Sequence, residues 1–267
     1  MKKIIHLSDL HIGYARQDLA RRFEGIVQSI IFAKEPANDY VVVVTGDLVE
    51  KATNPADHET AKMYLDRLSD HGFTVLVVPG NHDYGTGVRA NRDYQERFKA
   101  LFYDDTSFRF PRLDIIDGIA FIGLDSMEEE LNTLDKLGAN GELGYQQRQR
   151  LDELLARDDV RACQHRVIYL HHHPFDPWIF HELKDSRELG EILMRHGNID
   201  AILFGHNHHF RKWNGKWGIP RCYDAGSSTR KNDSISFHRV IDLTKPASED
   251  YDADFFYEVP SNHHPSN

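Results

Sequence analysis

Five short apolar runs, each stopping abruptly in side chains able to hold a metal or a phosphoryl oxygen, constrain this chain more than any other feature. Ile4-Ile5-His6-Leu7 runs into Ser8-Asp9-Leu10-His11, and Val41-Val42-Val43-Val44 into Thr45-Gly46-Asp47. Thr74-Val75-Leu76-Val77-Val78-Pro79 runs into Gly80-Asn81-His82-Asp83, and Val167-Ile168-Tyr169-Leu170 into His171-His172-His173-Pro174. Ala201-Ile202-Leu203-Phe204 leads into Gly205-His206-Asn207-His208-His209. Runs of this length, rich in β-branched residues and bounded by Pro and Gly, read as buried strands of an α/β sheet. Open α/β sheets take their ligands in the crevice beyond the carboxyl ends of the strands, where these polar outlets fall. One Gly-Asn or Gly-Asp pair is an ordinary turn; turn chemistry alone does not explain the same pattern at five strand ends.

The segments between the runs suit that reading. Leu19, Phe23, Ile26, Val27, Ile30 and Ile31 recur at a spacing of three to four among charged residues, which predicts an amphipathic helix ending before Pro36. With the strand at 41–45 it makes a βαβ unit, and a helix marked by Ala61, Tyr64, Leu65 and Leu68 makes a second. Further helices are expected after Gly85 and Gly87, over 146–155 and over 186–195. Leu113 to Leu124 reads as a hairpin turning at Asp117-Gly118, forming either a second sheet or an antiparallel extension of the first. Residues 126–144 read as an acidic surface loop, and the runs at 219–223, 235–241 and 254–258 as hairpin strands. No linker-like segment separates the outlets, so one domain over residues 1–260 is expected, with a frayed tail at 261–267.

The 32 Lys and Arg against 42 Asp and Glu leave a formal charge of −10, which argues against a diffuse grip on a phosphate backbone; the partner expected is a small phosphorylated substrate. Cys163 and Cys222 imply no disulfide framework and suit a reducing, cytoplasmic setting. No stretch approaches the roughly 20 apolar residues of a membrane span, and no secretory leader is expected. The oligomeric state, including a homo-oligomer, is left open.

The outlets carry the chemistry. Asp9 and His11, two residues apart, share a side if the segment is extended, and His206 and His208 repeat that spacing. Asp47 adds a carboxylate that can bridge two ions. Asp9, His11, Asp47, Asn81, His171, His206 and His208 offer too many nitrogen and oxygen donors for one closed tetrahedral site and suit two adjacent ions. Ions about 3.5–4 Å apart activate a bridging hydroxide and stabilise phosphoryl oxygens. His82 beside them could neutralise charge on a pentacoordinate phosphorus. Singly, each Asp reads as a cap or turn residue and each His as core or surface.

In this order, Asp9-x-His11, Gly46-Asp47, Gly80-Asn81-His82-Asp83, His171-His172-x-Pro174 and Gly205-His206-x-His208 resemble the calcineurin-like metallophosphoesterases. The resemblance implies an α/β fold, a four-layer α/β/β/α sandwich with two mixed β-sheets flanked by helices and a dinuclear site at the strand ends. It implies that Asp9, His11 and His208 bind one ion, that Asn81, His171 and His206 bind the other, and that Asp47 bridges. It also implies that His82 contacts the phosphoryl oxygen or protonates the leaving group, with Asp83 orienting it. Sliding the histidine run by one nominates His172 in place of His171; adjacent strand residues face opposite ways, so both cannot bind alike. His209, His172 and Arg211 are candidate substrate contacts, and the aromatic loop 174–180 a candidate wall of the cleft. Manganese, iron and zinc all suit such donors. The lead-in from Ile5 to His11 is similar to bacterial cyclic-nucleotide and glycerophosphodiester phosphodiesterases, which makes phosphodiester hydrolysis the expected reaction. A phosphomonoesterase or nucleotide pyrophosphatase, a nuclease and a non-catalytic scaffold are the alternatives.

Overall fold

The computed structural model describes residues 2–15, 18–33, 35–86, 90–128, 140–175, 183–229 and 235–256. The first half builds β1 (Lys3–Leu7), α1 (Leu19–Ile31), β2 (Tyr40–Thr45), α2 (Pro55–Asp70), β3 (Thr74–Val78) and α3 (Arg92–Tyr103). The hairpin β4 (Arg112–Ile116) and β5 (Ile119–Gly123) follows, then α4 (Gly144–Ala156), α5 (Asp158–Arg161), β6 (His165–Tyr169), α6 (Ser186–His196) and β7 (Ala201–Phe204). The chain continues through β8 (Arg211–Lys212), β9 (Arg221–Asp224), β10 (Ile235–Ile241) and β11 (Tyr251–Phe256). Among the described residues no helix is long and apolar enough to cross a membrane.

Two mixed sheets result, one ordered β11-β10-β1-β2-β3 and the other β4-β5-β6-β7-β9-β8. β1, β2 and β3 are parallel, as are β5, β6, β7 and β9, and the antiparallel strands lie towards the edges. The unbroken valine run of β2 follows from its position. Val42 and Val44 pack outward against α1 and α2, and Val41 and Val43 pack inward against Val167 and Leu203 of the other sheet. A strand covered on both faces has no use for alternating polarity. β6 repeats this, with Ile168 facing α4 and α6 and Val167 and Tyr169 facing the first sheet. Helices, sheet, sheet and helices make four layers, and each fully buried Val, Leu or Ile contributes roughly 1.5–3 kcal/mol.

Two expectations sharpen and one changes. The run at 219–223 becomes β9, parallel to β7 with β8 as its hairpin partner, whereas β10 and β11 form a hairpin that returns to the first sheet beside β1. Alternation alone could not reveal which sheet each run joins. The hairpin at 113–124 forms the edge of the second sheet. The ends of the supposed surface loop are interior, since Ser126, Met127, Gly141 and Leu143 are buried; its middle, residues 176–180 of the aromatic loop and the tail at 261–267 lie outside the described residues.

The register aligns the outlets. Leu7 pairs with Val44 and Thr45 with Val78, so β1, β2 and β3 end together. Gly123 pairs with Tyr169, Tyr169 with Leu203 and Phe204 with Asp224, so the parallel strands of the second sheet do likewise.

Candidate metal centre

Pairing continues past the strand ends. Asp9 N donates to Gly46 O and His11 N to Asp47 O, both at 3.0 Å, so the loops carrying Asp9 and Asp47 run side by side. The second sheet is tied on where His171 Nδ1 donates to Thr45 O at 2.7 Å and His206 N to Asp9 Oδ2 at 3.1 Å. Gly80 and Gly205 permit this approach. A Cβ at Gly80 would collide with Asp47 Oδ1, and one at Gly205 with Ser8 Oγ and Asp9 Oδ2.

The backbone here does not meet the extended condition. Asp9, His11, Asp47, His206 and His208 have φ of 53°, 47°, 51°, 75° and 55°. Residues held there cost roughly 1–3 kcal/mol each and cluster at functional sites. The twists also separate His206 from His208. Asp9, His11 and His208 form one donor group, and Asp47, His171 and His206 another.

In the first group, His208 Nε2 lies 3.0 Å from His11 Nε2 and 3.2 Å from Asp9 Oδ1. In the second, His171 Nε2 lies 3.3 Å from Asp47 Oδ2, 3.0 Å from Asn81 Oδ1 and 3.2 Å from His206 Nδ1. Asp47 Oδ2 is also 3.9 Å from His11 Nε2, so one carboxylate oxygen faces both groups.

These groups fit cations. His171 commits its Nδ1 proton to the Thr45 carbonyl, so its Nε2 lone pair faces the acceptor oxygens of Asn81 and Asp47. Asp9 Oδ1 is buried and accepts no hydrogen bond. Acceptors converging on acceptors require positive charge between them, and mixed imidazole and carboxylate donors suit divalent transition metals. Where no ion binds, protons substitute. Burial opposes a charge on His11, but Asp9, Glu50 and Asp47 outweigh it and raise its pKa to about 9. His171 reaches about 9 in the same way, burial being overcome by Asp47, Asp9 and the Thr45 carbonyl. Burial likewise opposes ionisation of Asp9 and Asp47, yet the histidines hold both well below the usual carboxylate range.

His82 sits at the open side, 21% exposed, with Nε2 3.9 Å from Asp47 Oδ2. Its backbone N donates to Asp47 Oδ1 at 2.9 Å and its Nδ1 to the Glu50 carbonyl at 2.6 Å. Asp83, expected to orient His82, is used elsewhere. It accepts from Leu48 N, Val49 N and Gly80 N, and one oxygen lies 3.4 Å from His58 Nε2. It therefore clamps the Asp47 turn to the Asn81 turn, and the Glu50 carbonyl holds the His82 ring.

The histidine run divides beyond the end of β6 at Tyr169. His171 reaches Asp47 and Asn81, whereas His172 Nδ1 pairs with Ser126 Oγ at 2.7 Å and its ring lies 4.4 Å from that of His206. His209 is exposed, and Arg211, also exposed, stacks over Trp213 at 5.1 Å; neither belongs to a donor group. Glu50, Ser126, Asp125 and Asp224 escaped the sequence reading. β5, an apolar run, leads into Asp125, and β9 ends in Asp224; burial pushes both carboxyls upward. Both acids fall at strand outlets, without the neighbouring histidine or amide that marked the others.

Residues 2–210 match the sequence profile of the calcineurin-like phosphoesterases. The 3',5'-cyclic adenosine monophosphate phosphodiesterase CpdA of Haemophilus influenzae is 23% identical over 237 residues, covering 80% of this chain and 73% of that protein. The DNA double-strand break repair protein Mre11 of Haloferax volcanii is 28% identical over 216 residues, 78% of this chain but 42% of that protein. A dimetal phosphatase from Danio rerio shares the fold over 96% of this chain and 99% of its own, with a TM-score of 0.63 at 14% identity. With that profile spanning all five outlets, the chain belongs to the calcineurin-like phosphoesterase family and is a metal-dependent hydrolase of phosphoesters.

Proposed function

We propose that this chain hydrolyses a small phosphodiester of the cyclic-nucleotide or glycerophosphodiester class. In this reading Asp9, His11 and His208 hold one divalent ion, Asn81, His171 and His206 hold the other, and Asp47 stands between. The observation that carries it is Asp47 Oδ2, 3.3 Å from His171 Nε2 and 3.9 Å from both His11 Nε2 and His82 Nε2. Two divalent ions, manganese, iron or zinc, supply the charge that activates water and neutralises phosphoryl oxygens.

The chain's own groups do the rest. Asp47 and Asn81 are held by the Asp83 clamp, so the donors need little reorganisation to receive a substrate. His82 presents Nε2 at the mouth, where in its protonated form it contacts a non-bridging oxygen or gives its proton to the departing alkoxide. The relative CpdA, matched over most of both chains, supports the diester class. A nuclease is the second reading, favoured by the Mre11 relative and opposed by the formal charge of −10.

Manganese-reconstituted protein is expected to cleave bis-p-nitrophenyl phosphate and a cyclic nucleotide faster than p-nitrophenyl phosphate. Monoester turnover far above diester turnover reverses the order, loss of oligonucleotide integrity favours the nuclease, and no hydrolysis with any of the three metals favours a scaffold.

A further inference from the structure

Resting on the two-ion reading, we propose that Glu50 is a positioning residue that aims two imidazoles at once, His11 through its carboxylate and His82 through its main-chain carbonyl. Glu50 follows Asp47 by three residues, on the stretch paired with the Asp9–His11 loop. Ile12 N donates to Leu48 O at 3.0 Å and Glu50 N to Ile12 O at 2.8 Å. That pairing brings Glu50 Oε2 within 3.0 Å of His11 Nδ1, while His11 Nε2 faces Asp9, Asp47 and His208. His11 is 1% exposed, and the Glu50 carboxylate meets its Nδ1 in a bent contact on the side away from the donor group.

A carboxylate on one imidazole nitrogen keeps the proton there and leaves the lone pair of the other for a metal. Glu50 thereby selects the His11 tautomer that the donor group needs. The same residue's carbonyl takes the His82 Nδ1 proton at 2.6 Å, which turns His82 Nε2 towards Asp47. The two rings meet edge-on with centroids 4.8 Å apart, so a shift in either is felt by the other. The His11 contact uses the Glu50 side chain, which is 19% exposed at the rim, and the His82 contact uses the main chain, so removing the side chain leaves the His82 anchor in place.

The test is a calorimetric manganese titration of metal-free wild type, Glu50→Ala and Glu50→Gln, with circular dichroism of each. Wild type is expected to bind two ions. Glu50→Ala should bind one of them about 10–100-fold more weakly and the other unchanged. Glu50→Gln, whose amide oxygen can still accept from Nδ1, should recover most of the loss. Zinc-loaded wild type should show His11 protonated at Nδ1 and not at Nε2 in long-range proton–nitrogen spectra, a readout independent of how any variant folds. Undiminished affinity in Glu50→Ala, equal loss at both ions, a Gln variant as weak as Ala, or the opposite His11 tautomer overturns the role of Glu50 alone. Wild type saturating at one ion overturns the two-ion reading and this role with it.

Discussion

Between the same two sheets lie two layers that are equally buried and chemically opposite. In one, Ile4, Val41, Val43, Leu76, Val167 and Leu203 pack together as a hydrophobic core. A few residues further along the same strands, Asp9, Thr45, Asp47 and His171 are just as inaccessible. The apolar layer is stable by itself because burial is its driving force. The polar layer is held by the strands beneath it and completed by charge brought from outside, so the lower layer makes the fold and the upper one uses it. Perturbing each separately should therefore give different signatures.

The largest effect is expected from Asp47→Ala, which removes the oxygen facing both donor groups. Turnover should fall by well over 100-fold and manganese stoichiometry should drop, measured by steady-state assay and calorimetry. In the apolar layer, Leu76→Ala should cost about 2–5 kcal/mol in urea unfolding while the folded fraction keeps its metal affinity. If Leu76→Ala weakened the ions as strongly as it weakened the fold, the two layers would not be separable. Asn81→Ala should leave the fold intact and lower turnover about 10–100-fold, through a weaker second ion and less charge stabilisation. Unchanged turnover would remove Asn81 from the mechanism.

Smaller effects should appear in the pH dependence of the metal-free protein, where buried histidines act with opposite signs. His6 and His238 are held by burial at about 3, so the unfolded chain binds more protons and their stabilisation is lost as pH falls from about 6.5 towards 3. His11 and His171, raised to about 9, stabilise fully below about 6.5 and lose that contribution as pH rises through 9. Melting temperature should therefore decline on both sides of neutrality, and bound metal should flatten the alkaline side because ions then replace the protons. An alkaline decline unaffected by metal would mean that those protons and the ions do not compete for one place.

The two layers were not equally legible in the sequence. The apolar layer was readable because a strand covered on both faces leaves a continuous run such as Val41 to Val44. The outlets were readable because Gly, His and Asn gathered where those runs stopped. The left-handed backbone at Asp9, His11, Asp47, His206 and His208 was not, since the spacing of two suggests an extended chain and only tertiary contact imposes the twist. For the same reason it was not legible that Asp83 accepts from Leu48, Val49 and Gly80 while the Glu50 carbonyl holds the His82 ring. Adjacency to His82 in the chain is less telling than the pairing that carries Glu50 past Ile12. Ser126 falls in the acidic stretch that reads as a surface loop, and its pairing with His172 reveals it as interior.

Anomalous diffraction at the absorption edge of the loaded metal, together with elemental analysis of the same crystals, tests the central claim most directly. The account predicts two ions roughly 3.5–4 Å apart with one Asp47 oxygen touching both. A single ion at saturation, or two ions of which Asp47 touches only one, would contradict it.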